Sequence, residues 1–269
     1  MFSDRAALAT SPAHALALDC IEAGIRAAHP ETVVEEGIGL DDGVLRVGTD
    51  RIDLDGVERV LVVGGGKAAG TAATALEGVL GDRIDDGVIV TSDPRPCDRI
   101  RVHEGAHPVP SEEGVEGTRE LLALADSATE ADLVIALITG GGSALMVAPA
   151  EGVSLSDLQA TTDALLDSGA AIDEINAVRK HLSAIKGGQL ARRAAPSGVV
   201  GIVFSDVVGN DLDTIASGPT APDDSTFDDA RAVLDRYGVD VPDAVSTRIE
   251  AGVRGEHPET PRRGDPIFE

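Results

Sequence analysis

Four segments of the sequence carry residues whose type and spacing could do chemistry on an anion. The first is Gly64-Gly65-Gly66-Lys67-Ala68-Ala69-Gly70. Glycines let a backbone approach a phosphate closely, the N–H groups at a helix start point toward it, and a lysine adds a full charge. The segment is not a Walker A loop, because G-x-x-x-x-G-K-[ST] does not fit and Ala68 stands where a Mg2+-binding hydroxyl would be. Nor is it a clean G-x-G-x-x-G, since the third glycine comes one residue late. Taken alone, it also reads as a tight strand-to-helix turn with a solvated lysine. The second segment, Thr139-Gly140-Gly141-Gly142-Ser143, repeats the device with a hydroxyl in place of the lysine. Two such loops on one sheet edge suggest that one holds the phosphates of a nucleotide and the other the acceptor.

The third segment runs from Ser205-Asp206-Val207 to Ser217-Gly218-Pro219-Thr220 and contains Asp211 and Asp213. A carboxylate at a strand end suits Mg2+, which takes one or two carboxylates together with substrate phosphates. Asp206 could equally be a general base for a substrate hydroxyl. The fourth is Asn176-Ala177-Val178-Arg179-Lys180-His181-Leu182-Ser183-Ala184-Ile185-Lys186-Gly187-Gly188. At helical spacing Arg179 and Lys186 share a face with Ser183 between them, a stripe able to receive a carboxylate or phosphate. The same cations would also offset the dipole of a helix that ends at Gly187-Gly188. His107, in Gly105-Ala106-His107-Pro108, reads as a loop histidine or a ligand.

These segments need elements to hold them. Val60–Val63, Val88–Val90, Leu133–Ile138 and Val199–Phe204 are short unbroken apolar runs, three of which stop at one of the loops above. Helical spacing fills residues 11–29, with Ser11 as N-cap and Pro12 in the first turn, and residues 111–125. Two helices are expected over about 154–195, the first capped by Ser154 with Asp157, and another near 226–237. Apolar strands alternating with helices predict an α/β fold, a mostly parallel sheet with helices on both faces in a three-layer Rossmann-like arrangement. Ligands in such folds sit beyond the carboxyl ends of the strands.

Composition excludes several classes of function. The 269 residues carry 47 Asp and Glu against 22 Lys and Arg, a formal net charge of −25. No basic stripe could neutralise a nucleic acid, and an anionic membrane surface is disfavoured for the same reason. No apolar run is long enough to span a bilayer, and the first residues lack a secretory pattern. Cys20 and Cys97 make neither a disulfide framework nor a metal cluster. A cytoplasmic protein is expected. Only three of the basic residues are lysines, at 67, 180 and 186, and all three fall within the segments above. Two explanations of the acidic, lysine-poor surface stand side by side: a high-salt cytoplasm, in which screening makes self-repulsion tolerable, or a GC-rich genome that favours Arg and Ala codons.

Taken together, Val62–Ala68, Ala106–Pro110, Thr139–Ala144, Ile175–Ser183, Lys186–Gly188, Ser205–Val207 and Ser217–Thr220 resemble the class II glycerate 2-kinases, whose full-length members carry a C-terminal MOFRL domain. The resemblance runs from about residue 11 to the end. It implies ATP-dependent phosphorylation of D-glycerate to 2-phosphoglycerate with Mg2+, in a cleft between the N-terminal α/β domain and the C-terminal one. Lys67 and Asp206 match the active-site lysine and aspartate of the family, with Asp206 also the candidate metal ligand. Arg179 and Lys180 fall in its substrate- or phosphate-binding helix motif. Lys186, Gly64, Gly65, Gly66 and His107 are further candidates for substrate or phosphate, and Gly140, Gly141, Gly142, Ser143, Ser217 and Gly218 for the nucleotide. Thr91–Pro96 replaces a stretch where the family has a Gly-His type of sequence, and no role is carried over there. Residues 1–255 are expected to form the N-terminal domain and 256–269 a linker toward a MOFRL domain that a separate chain could supply. The chain alone is then expected to be weakly active or inactive. The competing readings are a Rossmann-type oxidoreductase binding NAD(P) at Gly64–Gly70, for which the nearest ribose acid, Asp93, comes later than the expected spacing of about 20 residues and beside Pro94, and a non-catalytic ligand-binding remnant.

Overall fold

A computed structural model describes residues 2–205 and 207–268. The chain enters through α1 (Arg5–Leu8), α2 (Pro12–Ala27) and α3 (Pro30–Gly37). Helix α2 begins as its caps dictate: the Ser11 hydroxyl accepts from the His14 amide at 3.2 Å, and Pro12 fills a first-turn position that needs no donor. A three-stranded antiparallel meander follows, β1 (Ile38–Asp41), β2 (Val44–Val47) and β3 (Asp50–Asp53), which the apolar pattern had not revealed. Its first turn is the two-residue loop Asp42-Gly43, with φ of 47° and 80°, the positive angles that a tight hairpin needs.

The main sheet alternates with helices: β4 (Val60–Gly65), α4 (Ala69–Leu80), β5 (Asp86–Thr91), β6 (Ile100–Glu104), α5 (Glu112–Asp126) and β7 (Leu133–Thr139). After it come α6 (Gly142–Leu145), α7 (Leu155–Ser168), α8 (Ile172–His181), α9 (Gln189–Ala194), β8 (Gly198–Phe204), α10 (Phe227–Tyr237) and α11 (Asp243–Val253). The five strands lie in the order β6-β5-β4-β7-β8 and every pairing is parallel. Strands β4 and β7, at the centre, are buried at every residue, which is why they read as continuous apolar runs rather than alternating ones.

Alternate residues of β4 feed two cores. Leu61 and Val63 pack with Leu121, Ala125 and Leu190 from α5 and α9, while Val60 and Val62 pack with Val34, Leu45, Ala72 and Leu76 from α3, the meander and α4. The α/β architecture with helices on both faces is therefore the observed one. A third apolar cluster joins α7, α8, α10 and α11 around the fully buried Phe227. Gly252 lets α11 approach that ring: a Cβ there would lie 2.2 Å from Phe227.

Charge pairs fix the far end of the sheet. Arg59, just before β4, donates to both carboxylate oxygens of Asp132, just before β7, at 3.1 and 2.6 Å. With further donors from Thr129, this pair holds the buried Asp132 carboxyl down to about 2. The two central strands thus start in register, and their loops emerge side by side at the opposite end. Residues 154–194 hold three helices rather than the expected two, because the chain turns after His181. Beyond α11 the chain packs back: Glu259 lies 3.0 Å from His181 Nε2, and Thr260 donates to Asp223 at 2.9 Å.

Candidate active site

The two glycine loops lie against each other where β4 and β7 end. The Lys67 amide donates to the Gly140 carbonyl at 2.9 Å, and the Ala68 amide donates to Thr139 Oγ1 at 3.1 Å. The glycines of the first loop are there for packing. A Cβ on Gly64 would sit 1.9 Å from the Leu137 carbonyl oxygen, one on Gly66 2.1 Å from Thr139 Oγ1, and one on Gly65 2.5 Å from the Val90 carbonyl oxygen. With Gly66 also donating to Val90, the amides of residues 66–68 are all engaged inside the protein. This loop therefore presents an exposed lysine rather than a row of free amides.

The second loop supplies what the first lacks. Among the described residues, the amides of Gly141, Gly142 and Ser143 have no hydrogen-bond partner, and they open the short helix α6. Gly141 has φ of 82° and lies against Lys67 and His107: a Cβ there would meet Lys67 Cγ at 2.9 Å and His107 Cδ2 at 3.1 Å. Lys67, the exposed His107 and the Gly140–Ser143 loop thus share one corner of the rim.

Arg179 and Lys186 reach the same end of the sheet by a route different from the expected helical stripe. Helix α8 stops at His181, because Leu182 and Ala184 pair instead with the strand-like segment 148–150. The Ser183 hydroxyl then accepts from the amides of Ile185 and Lys186, groups that a continuing helix would have used. The turn carries Lys186 inward, where only 6% of it is exposed and its ammonium donates to the Met146 carbonyl, just past α6, at 3.0 Å. Burial, reinforced by the Arg179 charge, lowers the Lys186 ammonium to about 7. Burial likewise lowers Arg179, which has no carboxylate within ion-pair distance among the described residues. A protein of net charge −25 thus keeps a buried and a half-buried cation side by side without supplying either with a described carboxylate. An anionic ligand is the natural complement to that arrangement.

Other sequence candidates sit elsewhere. Lys180, also buried, is engaged elsewhere: its ammonium meets Asp223 at 3.1 Å and Asp213 at 3.6 Å. Burial would raise the Asp223 carboxyl, but Lys180 with Ser225 and Thr260 holds it below its ordinary value. Lys180 is thus a strut between α8 and the segment leading to α10, its charge already matched. Ser217 is fully buried beneath Ser143, and a Cβ on Gly218 would meet the Asp213 backbone at 2.8 Å, so both lie behind the rim rather than on it. Asp206 lies outside the described residues. Ser205, immediately before it, follows the carboxyl end of β8, and Phe204 is in register with Thr139. Sequence reasoning gave Asn176 no role, yet its oxygen accepts from Ser217, whose hydroxyl meets Ser143. Its place one turn before Arg179 was the available signal.

Comparison with known proteins gives this geometry a family. A family model described as a domain of unknown function, DUF4147, matches residues 16–250. The chain belongs to that family. It is 43% identical over 256 residues to a glycerate 2-kinase of Pyrococcus horikoshii, a match covering 91% of this chain and 57% of the relative. It is 44% identical over 237 residues to a D-glycerate 2-kinase of Thermotoga maritima, covering 87% and 54%. A crystal structure of a P. horikoshii protein superposes with a TM-score of 0.85 at 42% identity, over 92% of this chain and 56% of that one. The DUF4147 chain described here therefore spans a little over half the length of these relatives.

Proposed function

We propose that this chain carries the anion-binding half of an ATP-dependent glycerate 2-kinase, converting D-glycerate to 2-phosphoglycerate. The observation that carries the reading is the buried Lys186 beside the half-buried Arg179, behind a rim that also presents Lys67 and three amides left unengaged among the described residues. Kinship with proteins named as glycerate 2-kinases supports glycerate as the substrate in this reading. In this reading Arg179 and Lys186 hold the carboxylate of the acid. Lys67 and the amides of Gly141–Ser143 neutralise the transferring phosphoryl group, the main task in such reactions. The acceptor hydroxyl oxygen bonds to the γ-phosphorus, the bond from that phosphorus to the β,γ-bridging oxygen breaks, and ADP leaves. The hydroxyl proton needs a base, and Mg2+ arriving with the nucleotide needs an oxygen ligand. Asp206 is proposed for one of these two roles. Mg2+ ordinarily takes one or two carboxylate oxygens together with substrate phosphates, which is the share proposed for this site.

The oxidoreductase reading has less behind it. A dinucleotide needs free amides at the first glycine loop, and those of residues 66–68 are engaged. Asp93, its candidate ribose acid, pairs with Arg95 at 2.8 Å. Among the described residues no helix is long and apolar enough to cross a membrane. Two free cysteines suit the cytoplasmic setting proposed for the reaction.

We infer further that full turnover requires the portion of the relatives that this chain does not span, supplied as a C-terminal MOFRL-type domain in cis or as a separate chain. A coupled assay with ATP, Mg2+ and D-glycerate, run on this chain alone and with that portion added, tests the proposal. Turnover that rises at least tenfold on addition is expected. Full turnover by the chain alone would overturn the shared-site part, and no turnover in either case would overturn the kinase reading.

A further inference from the structure

The segment beneath the rim is strained in a way the fold alone does not require. Ala216, Ser217 and Gly218 are left-handed in succession, with φ of 52°, 61° and 63°, although two of them carry a Cβ. Such conformations persist only where the surroundings over-determine them, and they cluster at functional sites. Here the surroundings are plain. Ser217 and Gly218 accept from the amides of Gly187 and Gly188 at 2.9 and 2.7 Å, and the Ala216 Cβ rests against Gly142. The product of the strain is the position of one buried hydroxyl, Ser217 Oγ, which donates to Asn176 Oδ1 at 3.0 Å and lies 2.8 Å from Ser143 Oγ.

A serine hydroxyl has a single proton. Ser217 commits its own to Asn176, so in the 2.8 Å contact Ser143 must be the donor. The only proton of Ser143 then points into the protein, which leaves the lone pairs of this half-buried hydroxyl as its remaining hydrogen-bonding capacity. A hydroxyl held this way can accept a hydrogen bond from a ligand but cannot donate one. Phosphate oxygens need donors, so this group does not suit the nucleotide role expected from the sequence. The hydroxyl of a hydroxy acid is a donor.

We propose that Ser143 is the group that reads a hydroxyl of the bound acid, and that Ser217 and Asn176 are positioning residues that fix its polarity. This rests on the hydroxy-acid reading above. The strain is retained because the left-handed turn alone brings Ser217 Oγ between its two partners.

The test compares D-glycerate with propanoate, which keeps the carboxylate and lacks both hydroxyls, in NMR titrations of the full chain. Wild type is expected to bind D-glycerate about tenfold more tightly, the usual scale of one accepted hydrogen bond. Ser217→Gly removes the hydroxyl while relieving the backbone, so it should melt above Ser217→Ala. It should also lose the preference for D-glycerate while its propanoate affinity stays within about threefold of wild type. A Ser217→Gly protein that keeps the preference would overturn the proposal, as would an equal loss for both acids, which marks a merely structural role. Wild type binding both acids equally would overturn this proposal alone. Wild type binding neither would overturn the hydroxy-acid reading as well.

Discussion

A buried ammonium that meets a carbonyl and another cation loses more hydration than it recovers, and the structure gives Lys186 that environment. The consequence can be read without any ligand. The native group is lowered to about 7, whereas an unfolded lysine titrates near 10.4, so between those values the unfolded chain binds a proton that the native state has released. The penalty is therefore complete below pH 7 and fades as pH rises toward 10. Lys186→Met, which removes the charge and keeps the volume, should be more stable than wild type at pH 6. That gap should narrow by about 3 kcal/mol by pH 9 in urea unfolding. A gap that is constant with pH would mean that the ammonium is not desolvated. Lys180 makes the contrast: also a buried lysine of the same segment, it is matched by Asp223. Only the fold distinguishes the two, because both lie in one basic stretch of sequence.

At the level of elements, the central strands and their loops were legible because burial on both faces leaves an unbroken apolar run that a glycine triplet then ends. The capping boxes at Ser154 and Thr226 are there for similar local reasons. What escaped was decided by tertiary pairing. The meander strands are four residues each and carry charges at most exposed positions, although Asp42-Gly43 was a hairpin signal. The end of α8 depended on Ser183 finding partners in the 148–150 segment, which no periodicity records. The first glycine loop was legible as a loop but not in its purpose, since its amides are spent on Val90, Gly140 and Thr139. A packing role makes a definite prediction. Gly66→Ala places a methyl 2.1 Å from Thr139 Oγ1 and should cost more than about 3 kcal/mol in a thermal or urea melt. Gly81→Ala, at φ of 52° with open space around it, should cost only about 1–2 kcal/mol. Equal costs would show that the loop tolerates expansion.

Across the whole molecule, an acidic surface surrounds a small cationic interior at the end of the sheet. The net charge of −25 opposes the approach of any anion from a distance, and salt weakens that repulsion between exposed groups while leaving the buried cations less screened. In the proposed reading, a small anion rather than a nucleic acid or an anionic lipid is the expected ligand, because the two cations sit inside an otherwise acidic protein. The arrangement rests on the shared register of β4 and β7, fixed at one end by Arg59 and Asp132 and read out at the other by the paired loops. The most direct measurement is a calorimetric or NMR titration of D-glycerate into wild type, Arg179→Met and a control, Arg254→Met, whose arginine is an exposed partner of Glu256. Saturable binding that weakens at least tenfold in Arg179→Met and is unchanged in Arg254→Met is the predicted result. Arg179→Met binding as tightly as wild type would contradict the assignment of the anion to this end of the sheet.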